Sequence, residues 1–97
     1  MKIEKSTRKG KRFMATYANG GVIHFGQEGG KTYVDGATKA ARDAYLARHR
    51  KRERWDDPYS AGSLSRYLLW GPYTSFDANH AAFMRMFPIT YSTNKAR

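Results

Sequence analysis

The chain has 97 residues, enough for one domain with a modest hydrophobic core but not for a second lobe. Lysine and arginine number 18 against 8 acidic residues, and the formal charge of +10 favours phosphates, anionic lipid or acidic protein as partners. The absence of cysteine excludes disulfides and thiolate metal sites, and no apolar run approaches the roughly 18 residues of a membrane span. With no apolar stretch near Met1 to act as a secretory signal, we expect a protein used inside a cell.

The first twelve residues predict a basic N-terminal arm. They carry six basic side chains but only one acid, Glu4, and one large aliphatic residue, Ile3. A charged terminus with so little to bury is usually disordered unless a neighbour holds it. We therefore expect an arm at residues 1–12, a single α+β domain at residues 13–88 and a C-terminal tail at residues 89–97.

Alternating apolar and polar residues predict an antiparallel hairpin at the start of the domain. Residues 12–18 alternate, Asn19-Gly20 is a strong signal for a type I′ turn, and residues 22–25 return as the second strand. Such a turn places Tyr17 opposite Val22. Residues 31–34 predict a third strand that completes a meander.

Helical periodicity begins after the meander and predicts three helices. Thr38 is the expected N-cap of the first, which runs to about Arg54. Residues 60–70 predict the second, and Thr74 or Ser75 can cap a third that stops at Pro88. The predicted fold is α+β, a three-stranded antiparallel meander followed by three helices. The residues expected to be largely buried are Phe25, Val34, Leu64, Leu68, Trp70, Phe83 and Phe87.

The segment Arg48–Trp55 carries the strongest functional signal. As a helix it would place five cations in seven residues over two turns, where like charges repel each other and only Glu53 offers relief. This density favours a surface that binds phosphates or acidic protein, although a solvated helix end is the simpler alternative. The residues predicted to bind a partner or phosphate are Lys9, Lys11, Arg12, Arg48, Arg50, Lys51, Arg52, Arg54 and Arg66.

Aromatic residues flank the basic segment. Trp55, Tyr59, Tyr67 and Trp70 could stack on nucleic-acid bases, but their spacing beside several leucines favours a place in the core. The charge lies on the first of two consecutive helices and not on the second, so specific base reading by a recognition helix is not expected.

Nothing in the sequence indicates catalysis, and we expect no enzyme, no cofactor and no metal site. His24, His49 and His80 fall on different predicted elements and have few acidic neighbours at ligand spacing. Nucleotide-binding loops and nucleophile motifs are absent. A faint likeness to GIY-YIG nucleases lacks the first tyrosine motif and the distal glutamate.

The stretch Tyr45–Trp55, followed by Ala61-Gly62 and Ser65–Trp70, resembles a family of short basic proteins encoded by nucleocytoplasmic large DNA viruses, such as those of algae. The pattern Y-x-x-R-H-x-x-R-E-x-W, then A-G and S-R-Y-L-L-W, is long enough to be fairly specific. The resemblance covers roughly residues 12–87 and implies a virus particle or an infected cell as the setting.

Two functions fit the charge and this resemblance. The first is a non-enzymatic structural component of the virion, a minor capsid or internal protein that bridges larger viral structural proteins through its basic arm and helix. The second is a sequence-independent nucleic-acid-binding protein that neutralises packaged DNA. Neither requires a small-molecule substrate, and we expect none.

Overall fold

The computed structural model describes residues 1–87, in which a sheet of three antiparallel strands is followed by three helices. The strands are β1 (Lys2–Lys5), β2 (Lys11–Thr16) and β3 (Val22–Gln27), and they lie in the order β1-β2-β3. The predicted α+β class is confirmed. The predicted tail and the stop at Pro88 lie outside the described residues.

The third strand of the sheet comes from the segment that the sequence predicts as an arm. β1 pairs antiparallel with β2, and Ile3 lies opposite Ala15. Because successive side chains of a strand face opposite sides, Met1 and Ile3 turn towards the core while Lys2 and Glu4 are exposed. Two apolar residues at alternate positions thus fasten a strand whose other side chains are charged, and the segment is part of the domain.

The predicted third strand at residues 31–34 is wrong, because Tyr33–Asp35 forms a 3₁₀ turn. The carboxylate of Asp35 accepts hydrogen bonds from the backbone N–H of Thr32 at 2.9 Å and from its hydroxyl at 2.7 Å. Gly36 then ends the turn at a φ of +98°, which favours glycine. Local bonding by a side chain here outweighs the β propensity of the segment.

The β2–β3 hairpin turns through three residues and not through the predicted two. The N–H of Gly20 donates to the carbonyl of Tyr17 at 2.9 Å. Gly20 has a φ of +89° whereas Asn19 has no positive φ, as in a type I turn followed by a bulge residue. The register therefore differs by one residue from the prediction, and Thr16 lies opposite Val22 where Tyr17 was expected.

The helices follow in chain order: α1 (Lys39–His49), α2 (Ala61–Leu64, continued by a π-helical turn at Ser65–Leu69) and α3 (Phe76–Met86). The expected caps are confirmed, because side-chain oxygens of Thr38 and Ser75 accept the N–H groups of the third residue beyond. None of the helices in residues 1–87 is long and apolar enough to cross a membrane.

The first helix is shorter than predicted. It ends at His49, and the N–H groups of Arg52 and Glu53 both turn back to the carbonyl of His49, at 3.0 and 3.1 Å. Cations at neighbouring helical positions repel one another, so the run of charge is better accommodated in a turn. The prediction of a helix that runs to about Arg54 is therefore wrong, because residues 50–54 lie in a turn after the helix.

The core lies between one face of the sheet and the helices α2 and α3. Four residues predicted to be largely buried are fully buried: Phe25, Leu64, Leu68 and Phe83. The others are only partly buried and pack against the same cluster: Val34, Trp70 and Phe87. Trp70 stands at the end of the helical segment, where the core meets solvent.

A fully buried asparagine fastens the connection between α2 and α3. Nδ2 of Asn79 donates to the carbonyls of Leu68 at 3.2 Å and Tyr73 at 2.9 Å, while Oδ1 accepts the N–H of Tyr73 at 3.0 Å. These bonds satisfy polar groups that burial removes from water. Gly71 packs directly against this junction, since a Cβ there would overlap the carbonyl oxygen of Tyr67 and stand 2.6 Å from Oδ1 of Asn79.

An ion pair between β2 and the 3₁₀ turn predicts a pH dependence of stability. The Arg12 guanidinium donates to both carboxylate oxygens of Asp35 and holds the pKa of that carboxyl well below its usual range. A carboxyl with a depressed pKa stabilises the folded state above its ordinary pKa near 3.8, and the effect is lost as the pH falls towards the folded-state value. Because the pair is partly exposed, we expect Asp35→Asn to cost about 1 kcal/mol at neutral pH.

The measurement is urea unfolding of both proteins between about pH 7 and pH 2. The difference in unfolding free energy should shrink as the pH falls below about 5. Asp43→Asn is the control, because its exposed pair with Lys39 should contribute a few tenths of a kcal/mol or less. A difference that stays constant over this pH range would contradict the assignment.

Candidate functional site

Most of the cations predicted to bind a partner are exposed. Two lie at the turn between β1 and β2, and the rest lie at the end of α1 or in the turn that follows. They are Lys9, Lys11, Arg48, Arg50, Lys51, Arg52 and Arg54. Within residues 1–87, Arg54 is the one member of this set that forms an ion pair, at 3.3 Å from Asp56.

Two predicted binding residues are engaged within the fold instead. Arg12 is held by Asp35, as described above. Arg66 lies over the rings of Trp55 and Tyr67, at 5.0 and 4.8 Å from their centroids, and burial lowers the pKa of its guanidinium. Both side chains stabilise contacts between elements, so they are less available to a partner than the exposed cations.

Three rings from α1 and the end of the helical segment form a stacked ladder. Tyr45 lies between His49, whose ring centroid is 4.1 Å away, and Trp70, at 4.4 Å and 7° from parallel. Burial is the main cause that raises the pKa of Tyr45 to about 12. The ladder fixes α1 against the segment that carries Trp70. Trp70, one of the aromatic residues that flank the basic segment, therefore packs within the fold, as its spacing beside the leucines favoured.

The carboxylate of Glu53 connects the ladder to the basic turn, which is formed by residues 50–54 after α1. Oε2 is 2.9 Å from Nδ1 of His49, and Oε1 accepts the indole N–H of Trp55 at 3.0 Å. Gly62 leaves the space for this arrangement, because a Cβ there would meet the Glu53 side chain at 3.0 to 3.3 Å. The single acid of the basic segment is thus already engaged by two groups of the same protein.

Two arginines converge on the end of the helical segment. Nε of Arg42 donates to the carbonyls of Trp70 at 3.1 Å and Gly71 at 2.9 Å, and Nη1 of Arg66 donates to the carbonyl of Trp70 at 3.2 Å. The last carbonyls of a helix have no partner within the helix, and these guanidinium groups supply one. The two cations therefore hold the residues that carry the ladder.

A cleft of about 630 Å³ opens between the sheet and the ladder. Its floor includes Phe25 and Leu69, and three cations line it from different parts of the chain: Lys11, Lys31 and Arg48. Lys11 at the start of β2, Lys31 in the loop after β3 and Arg48 in α1, which are far apart in sequence, therefore meet at one site. Tyr45, His49, Glu53 and Trp70 line the same cleft.

The three histidines have separate environments. Nδ1 of His24 lies 2.7 Å from Oγ of Ser6, His49 contacts Glu53, and His80 is partly buried, which lowers its pKa. Among residues 1–87, no three histidine or acidic side chains are grouped so that they could hold a metal ion. The expectation that the protein is not an enzyme stays a prediction.

A scan of protein families finds a match at residues 1–49 to the "Family of unknown function (DUF5754)". An uncharacterised protein of Acanthamoeba polyphaga mimivirus is 39% identical over 80 residues, which cover 72% of this chain and 80% of the relative. The chain belongs to the family of unknown function DUF5754. No solved structure matches the chain.

The family match and the viral relative bear on the resemblance drawn from the motif. Mimivirus is a nucleocytoplasmic large DNA virus, so the resemblance to proteins of such viruses is confirmed at that level. A closer likeness to proteins of algal viruses stays a prediction. The family match ends at His49, so it includes the sheet and α1 but not the partners Glu53 and Trp70 that complete the ladder and its carboxylate contact.

Sequence reasoning missed several residues of the cleft. Lys31 follows two glycines and lies outside any run of charge, so it was not predicted to be part of a cluster. Tyr45, His49 and Glu53 do carry a signal, since they are spaced four residues apart and such residues can contact one another on one side of a helix. That spacing could have indicated that the carboxylate of Glu53 contacts His49 and does not neutralise the neighbouring cations.

Proposed function

We propose that the protein is a non-enzymatic structural component of a virus particle, a minor capsid or internal protein that bridges neighbouring components through a basic surface. The basic surface consists of the exposed cations Lys9, Lys11, Arg48, Arg50, Lys51 and Arg52. The observation that carries the proposal is that none of them forms an ion pair with a carboxylate of residues 1–87.

The basic turn after α1 is held in place before any partner binds. The contact between Glu53 and His49 ties the turn to the end of α1, and Oγ of Ser63 donates to the carbonyl of Arg54 at 2.8 Å near the end of the turn. Binding therefore costs less conformational entropy than it would if the turn were a free loop. Clustered cations also repel each other, and an external carboxylate or phosphate relieves that repulsion.

The viral relative supports the setting. A mimivirus protein that is 39% identical over 72% of this chain suggests a function in an infected cell, and a small domain with a basic surface suits contacts between larger anionic neighbours. Localisation in the virion is part of the proposal.

Sequence-independent binding of nucleic acid is the second candidate. It is favoured by the engagement of the aromatic rings within the fold: Tyr45 stacks on Trp70, and Trp55 lies under Arg66. These three rings are therefore not free to stack on bases, and the cations would contact the phosphate backbone. Backbone contacts bind tightly but carry no sequence information directly.

Charge reversal in the basic turn distinguishes the two candidates. We expect Arg50→Glu/Arg52→Glu to prevent incorporation of the tagged protein into virus particles, because the partner's carboxylates would be repelled. The double variant should keep the wild-type unfolding midpoint, since both side chains are exposed. The measurements are the amount of tagged protein in purified particles and a shift of duplex DNA at physiological salt.

The matched control is Lys39→Glu/Arg85→Glu, which makes the same change of charge at exposed positions away from the basic surface. Normal incorporation together with lost DNA binding would favour the nucleic-acid candidate, and the salt slope should then fall by about one for each phosphate contact removed. If neither property changes, the basic surface is a solvated face and both candidates fail.

A further inference from the structure

We propose that the cleft between the sheet and the ladder binds a small phosphorylated molecule of nucleotide size. This goes beyond the bridging function, because it assigns a small ligand to the cleft, whose lining includes Lys11 and Arg48 of the basic surface but not its residues 50–52. The sequence-based expectation was that the protein has no small-molecule substrate, and this proposal gives it a small-molecule ligand. Three properties of the cleft lead to this ligand class.

The first property is uncompensated positive charge. Lys11, Lys31 and Arg48 line the cleft, and none of them has an ion-pair partner among residues 1–87. The carboxylate in the lining, Glu53, is already in contact with His49 and Trp55. A phosphate monoester carries about −1.5 to −2 charges at neutral pH and several strong acceptor oxygens, which complements such a set of donors.

The second property is an oriented histidine. Because a carboxylate only accepts hydrogen bonds, Glu53 fixes the proton of a neutral His49 on Nδ1. The stack on Tyr45 fixes the plane of the ring. Nε2 has no hydrogen-bond partner within residues 1–87 and lies on a side chain that lines the cleft. In this tautomer Nε2 is an acceptor, and a ligand hydroxyl group next to the phosphate, such as that of a sugar, can donate to it.

The third property is an apolar floor in a cleft of suitable size. Phe25 and Leu69 are fully buried below the cleft, and the partly buried Trp70 stands at its side. Glycines at positions 10, 26 and 30 lie in the lining and project no side chain into it. The volume of about 630 Å³ falls within the range of about 300–1,000 Å³ of small-molecule sites. An apolar ring attached to a sugar phosphate matches this combination.

The test is a titration of the 15N-labelled full chain with adenosine 5′-monophosphate, followed by NMR and by calorimetry. We expect saturable binding, with the largest shifts at the amides of Gly26, Gly30 and His49. Adenosine, which lacks the phosphate, should bind at least tenfold more weakly. Lys11→Gln/Lys31→Gln should weaken nucleotide binding at least tenfold, whereas the matched neutralisation Lys39→Gln/Arg85→Gln should leave it unchanged.

A second comparison tests the histidine. Removal of the sugar hydroxyls, in 2′,3′-dideoxyadenosine monophosphate, should weaken binding to the wild type severalfold. The same change should have little effect on His49→Phe, which keeps an aromatic ring beside Tyr45 but lacks Nε2. Equal losses in both proteins would overturn the assignment of His49 to a ligand hydroxyl.

Other outcomes separate this proposal from the bridging function. Absence of shifts in the cleft at 10 mM nucleotide overturns the proposal, and so does binding that inorganic phosphate alone reproduces. Occupation of the cleft by a DNA oligonucleotide but not by the mononucleotide also overturns it, since the phosphate would then belong to a polymer. The Arg50→Glu/Arg52→Glu variant should retain nucleotide binding. Nucleotide binding can therefore be tested separately even if the bridging function fails.

Discussion

Gly71→Ala should destabilise the protein by at least about 3 kcal/mol, because a side chain at this position has no space. The added Cβ would overlap the carbonyl oxygen of Tyr67, which is backbone and cannot swing aside. It would also stand 2.6 Å from Oδ1 of Asn79, the buried side chain that bonds both sides of the α2–α3 connection. Relief of one overlap therefore breaks hydrogen bonds that have no access to water.

Thermal and urea unfolding measure this effect. Gly10→Ala is the control, because its Cβ would meet no atom within 4 Å and only the positive φ opposes it. We expect the control to cost about 1 kcal/mol. If Gly71→Ala fails to fold, Asn79→Ala tests the same junction without a steric overlap, and a near-wild-type Asn79→Ala would show that the junction contributes little.

Trp70→Ala should lower the free energy of unfolding by about 3 kcal/mol, the lower end of the range for a large aromatic residue. The indole is only partly buried, which reduces the loss of apolar contact. Its stack on Tyr45 at 4.4 Å adds a contribution of about 0.5–1.5 kcal/mol of its own. Loss of the stack also frees Tyr45, and the pKa of its phenol should move down from about 12 towards its usual value near 10.

Denaturant unfolding and an ultraviolet titration of tyrosine measure the two effects. Tyr73→Ala removes another aromatic side chain, 48% exposed, and should change stability by about 0.5 kcal/mol or less. Trp70→Phe should restore part of the loss, since a smaller ring still stacks on Tyr45. A near-neutral Trp70→Ala would refute the packing described for the ladder.

Local signals in the sequence predicted the helix starts well. Thr38 and Ser75 act as caps because each needs only its own side chain and an N–H three residues on. Some failures involve local contacts, such as the bonds from Thr32 to Asp35 that close the 3₁₀ turn. Others involve partners distant in sequence, such as Arg12 on β2, which holds the carboxylate of Asp35. The edge strand at residues 2–5 likewise depends on its pairing with β2, which no local pattern reveals.

The same distinction applies to the candidate site. The density of charge after Tyr45 identified the exposed cations, since a run of charged residues can be recognised from the sequence alone. The cleft could not be predicted from the sequence, because Lys31 and Arg48 come together only when the helices cover the sheet. The end of α1 at His49 was also missed, because the contact between His49 and Glu53 has the spacing of a helix and does not mark where the helix ends.

The order of elements along the chain has a consequence for synthesis on the ribosome. The sheet is complete by Gln27, yet the residues that cover its inner face, such as Leu64, Leu68 and Phe83, come from the second half of the chain. Phe25 contacts Phe13 within the sheet, but the helices that bury it are absent until most of the polypeptide has emerged. We expect the nascent sheet to expose its apolar face until translation is nearly finished, a state in which chaperones and other chains compete with the native helices.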